Sequence, residues 1–398
     1  MTSLGDKKTS VFPHGHIDRS GWKCVMLGDV CSIVMGQSPD SSGYNTKGEG
    51  LPLIQGNADI SDRQTIRRTY SRSITKSASS GDIILTVRAP VGNVARATFD
   101  CCLGRGVCAL KNAPSYLFYQ LEFIEPTWGR FSGGSTFDSI NSDALASTPI
   151  MLPDRDCQNK ITASISSIDT HISALKSLIA KYEAIKKATV NLLLKPKAGW
   201  NKIRLEDFEA HSNNTCSRAL TSSNAGTIYN IHYGDILVKY GEIVDLEHEQ
   251  VDCLTDVGEA HSPKDYIVDG DIVIADTAED EAAGKAVEIR GIAGRKVVAG
   301  LHTIFLRPPT GAFAPGWLGY WMNSRFYHDQ LLPYMTGIKV LSLSKSSIVN
   351  TEIRYPSIEE QERQVKILEA IDAQKVALRM QANKAHQLKD GMMSYFFG

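Results

Sequence analysis

The sequence predicts an α+β protein with a doubled plan. Two similar globules of mixed β-sheet with short helices are separated by two long helices, which form an antiparallel coiled coil with pseudo-twofold symmetry. Three observations carry this reading. Residues 355–372, YPSIEEQERQVKILEAID, repeat 152–169, LPDRDCQNKITASISSID, without a gap at an offset of 203. After a Gly-Asp turn in the first copy, Ile83, Leu85 and Val87 alternate with Ile84, Thr86 and Arg88, which suits a strand buried on at least one face, and the second copy repeats the turn. Each copy then ends in a long stretch whose apolar residues recur at spacings of four and three, as in a coiled-coil seam.

The repeat divides the chain into a first globule at 22–153, a first helix at 154–197, a second globule at 198–356 and a second helix at 357–398. Residues 1–21 lack an apolar core and read as a disordered leader, not a signal peptide. Each globule opens alike, with WKCVMLGD at 22–29 and WNKIRLED at 200–207. GDIILTVRAPVGNVA at 81–95 is echoed by GDIVIADTAEDEAAGKA at 270–286, and SINSDALASTPIMLP at 139–153 by SLSKSSIVNTEIRYP at 342–356.

Strands are expected at 83–88, 93–99 and 106–110 in the first copy, and at 236–240, 271–275, 286–290 and 301–306 in the second. Short amphipathic helices are expected at 115–125 and 316–331. The first long helix runs from Cys157 to about Lys195, where Pro196 and Gly199 end it. Its seam is Ile161, Ile165, Ile168, Ile172, Leu175, Ile179 and Tyr182. The second, from Ile358 to Phe396, has Leu368, Ile371, Leu378, Ala382, Ala385 and Met392, interrupted by Lys375. Such helices reach roughly 55–60 Å. Packed antiparallel, they would hold the globules at opposite ends, as a dumbbell.

Composition narrows the function. No apolar run is long enough to span a membrane. Eight cysteines without a C-x-x-C point to reduced thiols in the cytoplasm rather than to zinc or disulfides. The net charge of −1 removes the simple argument for nucleic-acid binding, so any such site is a local patch. Basic residues outnumber acids eight to four at 154–197, and acids outnumber basic residues 21 to 14 at 198–356. The enzyme signatures fail one by one. His248-Glu249 is followed by Asp252 where a zinc protease needs histidine. Gly104-Arg105-Gly106 lacks a third glycine. There is no P-loop and no Asn-Pro-Pro-aromatic tetrapeptide, and Asp271 with Asp276 reads as a turn.

The order of motifs resembles the specificity subunits of type I restriction–modification systems, over residues 22–398. The motifs are the Trp-opened start, Gly36-Gln-Ser-Pro through Tyr44, the Gly-Asp-Ile strand, and a proline-led helix opening on Gln361 and containing Ile371-Asp372. YGDILVKYGEI at 233–243, AGLHTIFLRP at 299–308 and TGIKVLSLSKSSI at 336–348 agree. One departure is Asp156-Cys157-Gln158, where the family has an acidic residue directly before the glutamine. The resemblance implies a chain that is not itself catalytic. Each globule would be a target-recognition domain reading one half of a split, asymmetric site in double-stranded DNA. The helices would set the spacer and dock two methyltransferase subunits, which bring S-adenosylmethionine and methylate adenine; restriction subunits can join them. This chain would bind no cofactor or metal. The other reading of the residues is a coiled-coil scaffold that joins protein partners without reading bases.

Candidate DNA contacts follow. RQTIRRTYSRSITK at 63–76 supplies Arg63, Arg67, Arg68, Arg72 and Lys76 without an acid, against the plainer reading of a solvated face. Gln37, Ser38, Tyr44, Gln55 and Asn57 form a polar, turn-rich segment whose amides suit adenine edges or ordinary turns. The glycine-containing loops at 132–136, with Ser135 and Thr136, and at 336–339, with Thr336 and Lys339, occupy equivalent places. Weaker candidates are Lys239, Tyr240, Arg295, Lys296 and His302. The lysines at 176, 181, 186, 187, 195 and 197 read as a solvated helix face.

Overall fold

The structure is a computed structural model and describes residues 19–130, 139–213, 215–222, 226–255 and 265–398. The expected leader, up to residue 18, and the loop with Ser135 and Thr136 lie outside these. The chain divides into two compact units, Met1–Ser177 with Arg379–Gly398, and Leu178–Leu378.

Each unit is built on the same eight strands. The first has β1 (Lys23–Met26), β2 (Ser32–Met35), β3 (Leu51–Ile54), β4 (Ile83–Thr86), β5 (Val94–Arg96), β6 (Cys101–Leu103), β7 (Val107–Lys111) and β8 (Pro149–Leu152). The second has β9 (Asn201–Arg204), β10 (Glu209–Asn213), β11 (Ile228–Ile231), β12 (Ile272–Ala275), β13 (Ala286–Arg290), β14 (Lys296–Ala299), β15 (Thr303–Arg307) and β16 (Glu352–Tyr355). The ladders correspond strand for strand. β7 lies antiparallel between β2 and β4, and β15 between β10 and β12. β4 pairs with β5, and β12 with β13. β6 runs parallel to β3, and β14 to β11. The opening strand pairs with the closing one, β1 with β8 and β9 with β16, so each unit is tied shut just before its long helix.

The central strands explain the Gly-Asp motif. β4 and β12 are buried on both faces, hence their runs Ile83-Ile84-Leu85 and Ile272-Val273-Ile274-Ala275. Ahead of them Gly81 and Gly270 take positive φ of 95° and 90°, which a turn requires and glycine accepts. The following aspartate closes that turn: Asp82 accepts from Ser79 N at 2.8 Å and Asp271 from Val268 N at 2.9 Å. Asp271 also takes two bonds from Arg307, at 3.0 and 2.7 Å, and is structural. The short helices α1 (Ser115–Ile124) and, in the second unit, α3 (Trp317–Met322) cover the sheets. α1 buries Tyr116 to Leu121, and α3 stacks Trp317 on Trp321 with ring centres 5.3 Å apart.

The long helices are α2 (Arg155–Leu193) and α4 (Ile358–Phe397). Their openings are copies: Gln158 donates its side-chain amide to Pro153 O at 2.8 Å, and Gln361 to Pro356 O at 3.0 Å. Ile161, Ile165, Ile172, Leu175 and Leu368 are buried as expected, and Ile168, Ile179, Ile371 and Leu378 are half-buried. The helices pair antiparallel within each unit. In the second, Lys186 meets Asp372, and Gln364 meets Leu193 O one turn or more away in the opposite sense. In the first, Lys389 meets Asp169 while Met393 shares a core with Ile161 and Ile165. Among the described residues no helix is long and apolar enough to cross a membrane.

Four expectations need correction. Residues 236–240 are not a strand: Tyr233–Val238 is a helix, capped by His232 Nδ1 accepting from Gly234 N at 3.1 Å. Helical spacing buries Ile236 while leaving Val238 83% exposed, whereas a strand would put both on one face. The helix expected at 316–331 is two, Trp317–Met322 and Arg325–Leu331, because the Asn323 side chain bonds Gly319 O and Ala286 O, both at 2.7 Å. Met393, not Met392, is the buried methionine of the seam. Lys186 is not on a solvated face; it is buried in ion pairs.

Candidate nucleic-acid interface

In the first unit the ends of five strands meet around one turn, Gly104-Arg105-Gly106, between β6 and β7. Gly104 N donates to Ile54 O at 2.8 Å, Gly36 N to Val107 O at 2.9 Å, Gln37 N to Leu103 O at 3.0 Å and Val87 N to Gly106 O at 2.9 Å. The backbones touch so closely that only glycine fits. A Cβ at Gly36 would lie 2.1 Å from Gly104 O, and one at Gly106 2.1 Å from Gln55 O. This junction carries Gln37, Ser38, Gln55, Lys76, Arg88 and Arg105, all exposed, on adjoining strand ends. Lys76 joins them because Leu103 N donates to its carbonyl at 2.8 Å, and Thr75 Oγ1 donates to Gln37 O at 2.6 Å. Asn57 lies next along the same edge, bonded to Asn93.

The rim combines amides with cations. Two primary amides each offer a donor and an acceptor, which matches an adenine edge. Three cations, Lys76, Arg88 and Arg105, have no carboxylate partner among the described residues, so their charge faces solvent. Tyr44 is half-buried, its hydroxyl 3.4 Å from Pro39 O.

The arginine-rich run behaves differently from its appearance in sequence. Arg63 is paired with Glu122 and Glu125, and Arg72 with Glu49. Arg67 lies 4.3 Å over the Phe99 ring, and Arg68 donates to Ala58 O at 2.9 Å. These head groups are spread over several local partners and do not form one cationic face; only Lys76 belongs to the rim.

The second unit builds the same junction from other side chains. Gly300 N donates to Ile231 O at 2.8 Å, as Gly104 N does to Ile54 O, and Asp276 N donates to His302 O at 3.1 Å, as Val87 N does to Gly106 O. Here the strand ends carry His232, Tyr233, Asp276 and His302. The rings of His232 and Tyr233 are 4.6 Å apart, and His302 meets Tyr233 edge-on at 5.3 Å. His302 Nδ1 is 3.5 Å from Asp276 Oδ1. Burial, with help from Arg218, pulls the His232 pKa below its ordinary value, which keeps the ring neutral with Nδ1 as acceptor. The two rims therefore share a backbone and differ in chemistry.

The other candidates fall elsewhere. Tyr240 is 4% exposed and packs in the core, so it is not a surface group. Arg295 is anchored on Leu246 O and Gly291 O at 2.9 and 3.0 Å, Lys239 donates to Gln250 O, and Lys296 lies 5.6 Å from the Tyr266 ring. Thr336 closes a small hairpin with Ser342, which leaves Ile338 and Lys339 at an exposed tip. Sequence reasoning missed Arg88, Arg105 and Tyr233 as members of the rims. The signal for Arg105 was present: an arginine between two glycines between two strands is a tight turn that displays a cation. Asp245, Glu247 and His248 cluster, but the Arg290 guanidinium already occupies Asp245 Oδ2 at 3.1 Å.

Comparison with known proteins accords with this geometry. Residues 19–186 match the model of the type I restriction modification DNA specificity domain. A putative type I restriction enzyme MjaX specificity subunit from Methanocaldococcus jannaschii is 36% identical over 183 residues, which span 44% of this chain and 43% of that protein. The chain thus spans less than half the length of the curated relative it matches. Among solved structures, the S subunit of a type I restriction–modification system from M. genitalium is similar with a TM-score of 0.59 at 14% identity, over 95% of this chain and 96% of that one. A chain from a structure on complex assembly and conformational transition of the type I R–M system gives 0.56 at 18% identity, over 97% and 99%. These likenesses establish a shared fold along both units.

Proposed function

We propose, from the premise that residues 19–186 are a type I restriction–modification DNA specificity domain, that both units read DNA, each one half of a split, asymmetric target. The observation that carries the reading is the duplicated junction with unlike side chains: Gln55 and Arg105 in one copy, Tyr233 and His302 in the other. One backbone frame used twice gives two modules of equal geometry. Different residues on that frame give two different half-sites, hence asymmetry. Amides and aromatic or imidazole groups on the rim supply base-edge contacts, and Lys76, Arg88 and Arg105 supply phosphate contacts that position them.

On this reading the chain is not the catalyst. It places two adenine-methylating subunits, which hold the S-adenosylmethionine, and restriction subunits join that complex. The helices set the distance between half-sites, since two modules on a stiff spacer must match the helical pitch of the duplex. The test is methylome sequencing of a host that carries this chain with its methyltransferase. A single motif of two unlike specific segments around a fixed nonspecific spacer is the expected result. An active methyltransferase that leaves no such motif would favour a scaffold without base reading and would overturn the proposal.

A further inference from the structure

The repeat that marks the helix openings has a second half, deeper in the helices. Asp169 and Asp372 are 203 residues apart, and so are Lys186 and Lys389. Each lysine is 8% exposed and reaches the aspartate of the other helix within its own unit. Lys186 Nζ lies 2.7 Å from both carboxylate oxygens of Asp372, and Lys389 Nζ lies 2.8 Å from Asp169 Oδ1. A tyrosine completes each group. Tyr320 Oη donates to Asp372 Oδ2 at 2.9 Å, and the Tyr119 side chain is bonded to Asp169. Finally, each lysine holds one acid from its globule: Glu242 at 2.6 Å and Glu122 at 2.8 Å.

Burying an ammonium among carboxylates is an expensive way to join two helices, since well-packed apolar residues of like size serve stability as well or better. What buried polar groups do supply in a helix pair is a unique register. The need is visible here. Near the nodes the seam is thinly packed: Ile179 on α2, and Ile371 and Leu378 on α4, are only half-buried. Ala382 and Ala385 fill part of the seam. Small and half-exposed residues tolerate a slip by one turn; a lysine that must meet one aspartate does not.

The nodes also reach toward the rim. In the first unit Glu122 is 3.5 Å from Arg63 Nε, Arg63 Nη1 is 3.5 Å from Asn93 Oδ1, and Asn93 bonds Asn57. The same lysine that sets the helix register therefore fixes the globule against it.

We propose that Lys186 with Asp372 and Lys389 with Asp169 are positioning residues that set the register of the two helices and clamp each globule to that register. The consequence for target spacing rests on the function proposed above; the register itself does not. The test uses the full chain with nitroxides introduced through noncanonical residues at Ala188 and Ala370, both exposed, and pulsed dipolar spectroscopy. The unmodified chain should give one distance. Lys186→Met with Asp372→Leu, which fills the node with apolar atoms, should still melt cooperatively but give a second population displaced by about 5 Å, one helical turn. A single unchanged distance in a folded variant would overturn the proposal. If that variant does not fold, Lys186→Gln with Asp372→Asn is read by the same two outcomes. Run beside this, the methylome separates the two claims. A split register with no motif even from the unmodified chain would remove the DNA reading and leave the register lock standing.

Discussion

Arg105 and Arg72 are both exposed arginines of the first unit, yet they differ in what they can do. Arg72 is forked onto Glu49, so a phosphate approaching it must displace a carboxylate. Arg105 sits in a turn where Gly106 admits no side chain and Gly104 only a crowded one, and it has no such competitor among the described residues. Each phosphate contact releases counterions and steepens the salt dependence of binding by about one unit. Arg105→Ala is therefore expected to flatten the slope of log K against log salt by about one for the DNA-bound complex, with folding unaffected, while Arg72→Ala leaves the slope nearly unchanged. Titrations at several salt concentrations check this; equal slopes for Arg105→Ala and the parent would remove Arg105 from the interface. This contrast was hidden in the sequence. Arg63 to Lys76 look like one patch because they are neighbours in the chain, but the partner acids, Glu49, Glu122 and Glu125, lie tens of residues away. Local charge counting has no access to such pairs.

Strands and helices were more legible, and where they were misread the cause is specific. The Gly-Asp-Ile signal occurs at 81, 234 and 270, but only the first and third precede buried strands. At 234 a side-chain cap from His232 and the Asp235–Arg218 pair make it a helix. In α3 the deciding group is Glu288, a buried residue of β13 that accepts from Gly316 N and, at 3.0 Å, from Gly319 N, satisfying donors at the helix start. Burial outweighs these bonds and lifts its pKa to about 7. A carboxyl bound more tightly to its proton in the folded state stabilises the fold below its unfolded pKa and loses that contribution as pH rises through the folded one. The second unit is thus expected to lose about 3 kcal/mol between roughly pH 4.5 and 7 from this group alone. Denaturant unfolding of the parent and of Glu288→Gln across that range checks it. The variant should show the shallower pH dependence, and identical profiles would contradict the assignment.

Across the chain, the doubling was legible from its opening and closing motifs, and the two sets of eight strands follow it pair by pair. What the motifs concealed was the division of labour within the copy. The repeated segments, Gly-Asp turns, proline-led helix starts and Asp169 with Asp372, are the framework. The side chains that differ between the copies stand on the ends of that framework, where exposed Gln55 in one copy corresponds to buried His232 in the other. Such positions differ between the copies, so a search for similarity passes over them. Lys186 was misread as part of a solvated face and Lys389 was passed over for another reason: their match has no identity at the adjacent positions, and the acids they meet are distant in the chain.

The most direct measurement is a domain exchange. Residues 198–356 are replaced by the corresponding globule of a relative with a different target, the chain is expressed with its methyltransferase, and the methylated motif is sequenced. The account predicts that one specific half of the motif changes to the donor's while the other half and the spacer length stay as they were. A motif that remains whole, or one in which both halves change together, would contradict it.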